Sequence, residues 1–186
     1  MLIDITLPVT PKMMNTALEN TAKNLVGHIG THFDVMDKEF PLAYTKRKGV
    51  VFNVSHVRER EIDLCDVDLT MVELDMFVAF STDFLSREPY GTPEYFKNHP
   101  QLSHQLIDAL LTKRISIIGI DCAGIRSGKE HVPTDQKCAD HGVFVIENLW
   151  NLQTVLKAGA SFTAHIYPLR YSGVTGLPCR VIAEVE

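Results

Sequence analysis

Apolar residues along this chain fall into short runs separated by polar turns. Residues 49–57, 76–83, 115–121, 143–148, 162–169 and 179–185 are rich in β-branched and aromatic side chains and predict strands. Several are too uniformly apolar to leave one face in water, as expected of strands covered on both sides. Between two of them, residues 102–114 place Leu106, Ile107, Leu110 and Leu111 on one stripe with helical spacing, with Ser103 available as N-cap. A second helix is predicted over 148–158, where Leu149, Leu152, Val155 and Leu156 share a face and Gly159 follows at the position that favours a left-handed residue. The Pro/Gly-rich pieces at 88–93 and 173–178 are ordinary loop lengths, and no internal repeat or low-complexity tract interrupts the pattern. The fold class this predicts is α/β.

Composition narrows the picture. With 186 residues, 45% of them hydrophobic, the chain can bury one sizeable core, so a single domain over 1–186 is expected. The formal net charge is -5 and the densest basic stretch is only Lys46, Arg47 and Lys48, which argues against a nucleic-acid partner. Cys65, Cys122, Cys138 and Cys179 lie far apart without a Cys-x-x-Cys pair, so neither a zinc ribbon nor a disulfide framework is indicated, and a reducing cytoplasm fits best. The opening residues lack a basic region, a long apolar run and a small-residue cleavage site. No later stretch approaches the roughly 20 apolar residues of a membrane span. A soluble, cytoplasmic protein with no membrane partner is expected.

Candidate chemistry concentrates in Gly27-His28-Ile29-Gly30-Thr31-His32-Phe33-Asp34, which supplies two imidazoles and a carboxylate. These donors suit zinc, manganese and iron, and three protein ligands with open positions characterise hydrolytic metal sites. A helix would put His28 and His32 on one face. Gly27, Gly30 and Thr31 disfavour a regular helix, and a turn entering a short strand would instead put His32 and Asp34 on the same side. The plain alternative is a pair of surface loop histidines. Elsewhere, Trp150 and Cys122 read as packing residues. Asp121 reads as either a neighbour of the site or the cap of a turn. His56, His99 and His104 read as polar surface or turn residues.

The motif His-x-Gly-Thr-His-x-Asp resembles the signature of the kynurenine formamidase and putative cyclase family, and the resemblance extends along nearly the whole chain. Asp4-Ile-Thr-Leu-Pro-Val is similar to that family's opening strand, and Tyr90-Gly-Thr-Pro-Glu-Tyr-Phe-Lys-Asn-His-Pro to the segment before its central helix. Ile118-Gly-Ile-Asp121, the Glu147-Asn-Leu element, Pro168-Leu169 and the Gly-x-Pro-x-Arg pattern ending at Arg180 follow in order. The resemblance implies a swivelling β/β/α domain with a mixed sheet and packed helices. It also implies two divalent metals, Zn or Mn, near subunit contacts of a homodimer or tetramer. Carried over by residue, His28, His32 and Asp34 match the first metal site, with Asp34 bridging to a second that includes Glu147.

Two positions depart from the family pattern. Where the second site has a histidine, twelve residues before the glutamate, this chain has Asp135, with His131 and His141 nearby. An aspartate keeps a second site feasible with a bias toward oxygen-loving metals. Where the family's proton-transfer histidine is expected, this chain has Lys38, which could act as catalytic base only if its pKa, ordinarily about 10.4, were lowered toward neutrality. The function implied is hydrolysis of a C–N bond in a formyl amide or cyclic amide by metal-activated water, as in arylformamidases, acting on a small-molecule amide. The alternative is a degenerate member that binds metal or a small carboxylate ligand without turnover. A purely structural protein would leave the His/His/Asp/Glu set without purpose.

Overall fold

The predicted apolar runs become neighbouring strands of one sheet that closes on itself. In a computed structural model, which describes residues 1–19 and 27–186, the strands are β1 (Leu2–Asp4), β2 (His32–Asp34), β3 (Lys46–Asn53), β4 (Phe77–Ser81), β5 (Ile117–Ile120), β6 (Phe144–Glu147), β7 (Ser161–Pro168) and β8 (Gly176–Glu184). The hydrogen-bonded order β8-β2-β6-β5-β4-β3-β7 is completed by pairing of β7 with β8, giving a closed seven-stranded barrel. β1 extends the sheet on β8, with Leu2 opposite Glu184. Strands β3 to β6 run parallel, and every other pairing is antiparallel.

Parallel neighbours need long crossovers, which supply the helices. Between β4 and β5 lie α2 (Phe84–Arg87), α3 (Pro93–Lys97) and α4 (His104–Thr112); α5 (His131–Asp140) joins β5 to β6, and α6 (Leu152–Lys157) joins β6 to β7. A further helix, α1 (Pro11–Glu19), follows β1. Ser103 caps α4 as the sequence predicted, its hydroxyl accepting from the Leu106 N–H at 3.0 Å. The predicted 148–158 helix begins later, because Asn148 and Asn151 adopt φ of 58° and 57°, outside the helical region. Among the described residues no helix is long and apolar enough to cross a membrane.

The period-2 alternation of the strands builds two cores back to back. Phe33, Val51, Phe77, Ile117, Phe144 and Ile146 point one way, joining Phe162, Ala164, Val181 and Ala183 inside the barrel. Their neighbours Phe52, Val78, Phe80, Ile118 and Val145 point the other way and pack against Leu106, Ile107 and Leu110 of α4. This double burial explains the near-continuous apolar runs of β4 and β5. On β7 and β8 the outward positions are more exposed, restoring the alternation of an antiparallel ribbon.

Asp121 ties two strand ends together. Its buried carboxylate accepts from the Thr82 N–H at 2.9 and 3.0 Å, from the Thr82 hydroxyl and from the Asp83 N–H at 3.0 Å, so it bonds to the turn after β4 instead of its own. Burial pushes its carboxyl up to about 6 against the pull of these bonds. Replacing Asp121 with alanine strands two N–H donors and is expected to cost about 3 kcal/mol, a fall in Tm of roughly 10 °C in a thermal melt. An unchanged Tm would show the strut to be idle.

Candidate metal centre

The histidine motif occupies a turn that leads into β2. Gly27 and Gly30 have φ of 79° and 66°, left-handed values that bend the chain tightly and exclude the helical reading. A Cβ on Gly27 would overlap the Gly176 carbonyl, so the turn is pressed against the start of β8. Hydrogen bonds between side chains and backbone fix the rest: the Gly30 N–H donates to the Tyr90 hydroxyl oxygen at 3.0 Å, and Thr31 Oγ1 accepts from the Leu7 N–H while donating to the Asn148 carbonyl. The Asn148 amide donates to the Gly30 carbonyl at 2.9 Å and accepts from the buried Tyr95 hydroxyl at 2.6 Å.

Strand geometry then aims the donors. Phe33 enters the barrel, so His32 and Asp34 face outward together. β6 pairs antiparallel with β2 in a register that puts Glu147 directly opposite His32. Over this face lies the start of α5, which brings His131 and Asp135, one helical turn apart, above the two strands.

The resulting cluster is compact, with His32 and the three carboxylates buried and His28 and His131 partly exposed. His28 Nε2 lies 3.0 Å from Asp34 Oδ1, and His32 Nε2 lies 3.7 Å from the same oxygen and 3.5 Å from Glu147 Oε2. His131 Nε2 lies 3.4 Å from Asp135 Oδ2 and 3.5 Å from Glu147 Oε1. Two donor groups emerge, His28/His32/Asp34 and Asp34/His131/Asp135/Glu147, with the ligand atoms in each within 4.8 Å of one another and Asp34 common to both. His32 and His131 are oriented alike: each Nδ1 sits against a backbone carbonyl, of Gly30 and Arg126 respectively, at 2.9 and 3.0 Å. With the proton on Nδ1, each Nε2 presents its lone pair to the carboxylates.

Several features of this cluster fit a divalent cation. Asp34 Oδ2 and both oxygens of Asp135 are buried without a hydrogen-bond partner among the described residues. Burial would raise the Asp34 carboxyl, but the hydrogen bond from His28 and the nearby His32, His28 and His131 hold it below the usual carboxylate range. Asp135, buried beside Asp34 and with less compensation, is pushed well above it. Clustered buried carboxylates of this kind are costly alone and are offset by a bound cation.

His28, His32, Asp34, Asp135 and Glu147 are thus all brought to one place. Sequence reasoning named His131 only as a nearby substitute on a par with His141, but His141 is exposed and bonds its own helix at the Lys137 carbonyl. Lys38 is the correction. Its Nζ pairs with Asp37 at 3.0 Å and Asp140 at 2.8 Å, its side chain is 37% exposed, and the Asp140 and Asp37 bonds raise its pKa, opposite to what a base near neutrality requires. Replacing Lys38 with methionine is expected to leave any amide hydrolysis within about twofold of the parent, because an exposed ion pair contributes little beyond itself. A large loss in kcat would restore the lysine to the chemistry. Two minor expectations also change: Trp150 is 41% exposed, whereas His99 is only 4% exposed. Trp150 precedes the shortened helix, and His99 is held inside by the segment that leads to α4.

The comparisons with known proteins agree with this architecture. A solved structure described as a potential metal-dependent hydrolase with cyclase activity superposes with a TM-score of 0.76 at 24% identity, covering 98% of this chain and 96% of the other. A predicted metal-dependent hydrolase from Bacillus stearothermophilus gives 0.71 at 21% identity, covering 98% and 97%. Isatin hydrolase A from Labrenzia aggregata, bound to benzyl benzoate, gives 0.72 at 21% identity, covering 86% and 74%. No curated protein matches the chain by sequence. The sequence matches the family described as Putative cyclase over residues 3–126, which include the first donor group, and the chain belongs to that family.

Proposed function

We propose that this protein is a metal-dependent hydrolase that cleaves a C–N bond in a small formyl amide or cyclic amide, arylformamidase-like in its chemistry. The observation that carries the reading is the sharing of buried Asp34 between two donor groups, an arrangement with room for a divalent ion on either side of its carboxylate. The family and the isatin hydrolase fold likeness support it, isatin being a cyclic amide.

A divalent ion in such a site supplies a lowered pKa for bound water and polarisation of a carbonyl oxygen. The protein's part is positional. Asp34 and Glu147 fix the spacing across β2 and β6, and the Gly30 and Arg126 carbonyls set the two imidazole orientations. The first group, two imidazoles and one carboxylate, suits Zn; the second, with three carboxylates and one imidazole, leans toward Mn.

Lys38 supports a second reading, a member that binds metal without turnover, because its pairing with Asp37 and Asp140 leaves the position of the family histidine without a base. One experiment separates the two. Protein purified without chelators is analysed for metal by plasma emission, then assayed against formyl anilides and cyclic amides with added Zn²⁺ and Mn²⁺. Metal with turnover is expected. Metal without turnover favours the second reading, and absence of bound metal defeats both.

A further inference from the structure

Beyond the carboxyl ends of β3 and β4, a cleft of about 320 Å³ opens between the segments 58–61, 84–87 and 98–101. The carboxyl ends of parallel strands are where α/β sheets commonly receive ligands. None of the six metal-donor residues lines this cleft, so it is a second place on the molecule with its own chemistry.

Its walls are rich in arginine in a chain whose net charge is -5. Arg58, Arg60 and Arg87 all line it, together with Glu59 and Glu61. Two of these charges are already engaged. Arg60 forms a two-pronged pair with Asp66 at 2.6 and 2.7 Å, and Glu61 is bound at 2.6 Å by Arg126 behind the cleft. Arg58 and Arg87 have no carboxylate partner among the described residues and bond only to backbone carbonyls. Arg87 is held by the Asp83 and Thr82 carbonyls at 3.2 and 3.3 Å, with its guanidinium carbon 5.7 Å from the Phe84 ring centroid. A guanidinium has five N–H donors, so both arginines keep donors for a ligand, against the single carboxylate of Glu59.

The floor is of a different character. Phe84 and His99, 6% and 4% exposed, line the cleft as buried rings. The His99 ring is fixed by Nδ1 at 3.0 Å from the Pro100 carbonyl. Guanidinium groups and aromatic rings lining one cleft, with Arg87 over the Phe84 ring, are complementary to a carboxylate borne on a planar ring. The volume, at the lower end of small-molecule sites, sets the size.

We propose that this cleft binds a small ring-bearing organic carboxylate independently of the metal centre. The test is calorimetric titration of the full chain with benzoate, in parallel with inorganic phosphate. The parent protein is expected to bind benzoate saturably below about 10 mM. The Arg58→Ala/Arg87→Ala variant is expected to lose at least about tenfold in affinity. Asp34→Asn, which disables the metal centre, should bind benzoate as the parent does, which separates failure of this site from failure of the hydrolase reading. Arg87→Gln, with circular dichroism as the folding check, provides a second variant. Benzoate binding lost in Asp34→Asn but kept in the double variant would overturn the proposal, as would absence of saturable binding to the parent. Phosphate binding tighter than benzoate would overturn the ring-bearing class of ligand.

Discussion

Replacing Asp34 with asparagine is expected to weaken metal retention at least about a hundredfold and to lower amide hydrolysis by a similar factor, since loss of merely supporting partners already costs about 10–100-fold. Asp34 is the one residue common to both donor groups, so a single neutralisation acts on both. Asparagine preserves size and one oxygen, and the strand position, with Phe33 locked into the barrel, stays as it is. What disappears is the negative charge that faces His28 at 3.0 Å and that would offset a cation held by either donor group. Metal content after dialysis, read by plasma emission beside the assay, distinguishes this from a folding defect. Metal retained at the parental level would remove Asp34 from the site.

Asp135 gives the second large effect, and its sign depends on whether metal is bound. Burial and the neighbouring Asp34 hold its carboxyl well above the ordinary value of 3.8. Because the folded pKa exceeds the unfolded one, the folded chain holds an extra proton between the two values. The stability this contributes is complete below 3.8 and is lost as pH rises through the folded pKa. The metal-free parent should therefore melt at progressively lower temperature as pH climbs from the unfolded value through the folded one. Asp135→Asn cannot titrate, so this part of the slope should vanish. At pH values above the folded pKa the metal-free variant should gain about 2 kcal/mol, a rise in Tm of roughly 5 °C, since a buried charge beside Asp34 has been removed. With metal the order reverses. Saturating Mn²⁺ should stabilise the parent by about 3 kcal/mol at a hundredfold excess over Kd, and the variant by much less. Thermal melts over pH, with and without Mn²⁺, read both effects, and a metal-free parent whose pH slope matches that of the variant would contradict the account.

Much of this was legible locally. The strands β3 to β8 follow from β-branched runs, and α4 from its stripe and serine cap, because these features depend on neighbours a few residues away. The His28/His32/Asp34 group was equally readable, since one turn and one strand deliver it. α5 was not. Its sequence, HVPTDQKCAD, has no apolar face, only Thr134, Asp135, Cys138 and Ala139 are buried, and Pro133 sits near its start. A helix buried by polar side chains over a charged cluster carries no hydrophobic period, so neither its existence nor the inward aim of His131 could be read from spacing.

Strand and helix types, the family resemblance and every donor but His131 were readable from short windows or from the order of motifs along the chain. The tertiary structure decided closure of the barrel by β7 and β8, the His32–Glu147 register, the lodging of His131 over β6, and the retirement of Lys38 into an ion pair with Asp140. These depend on which segments far apart in the chain come to share a face, and that is set by packing both sides of the sheet at once, not by any local preference.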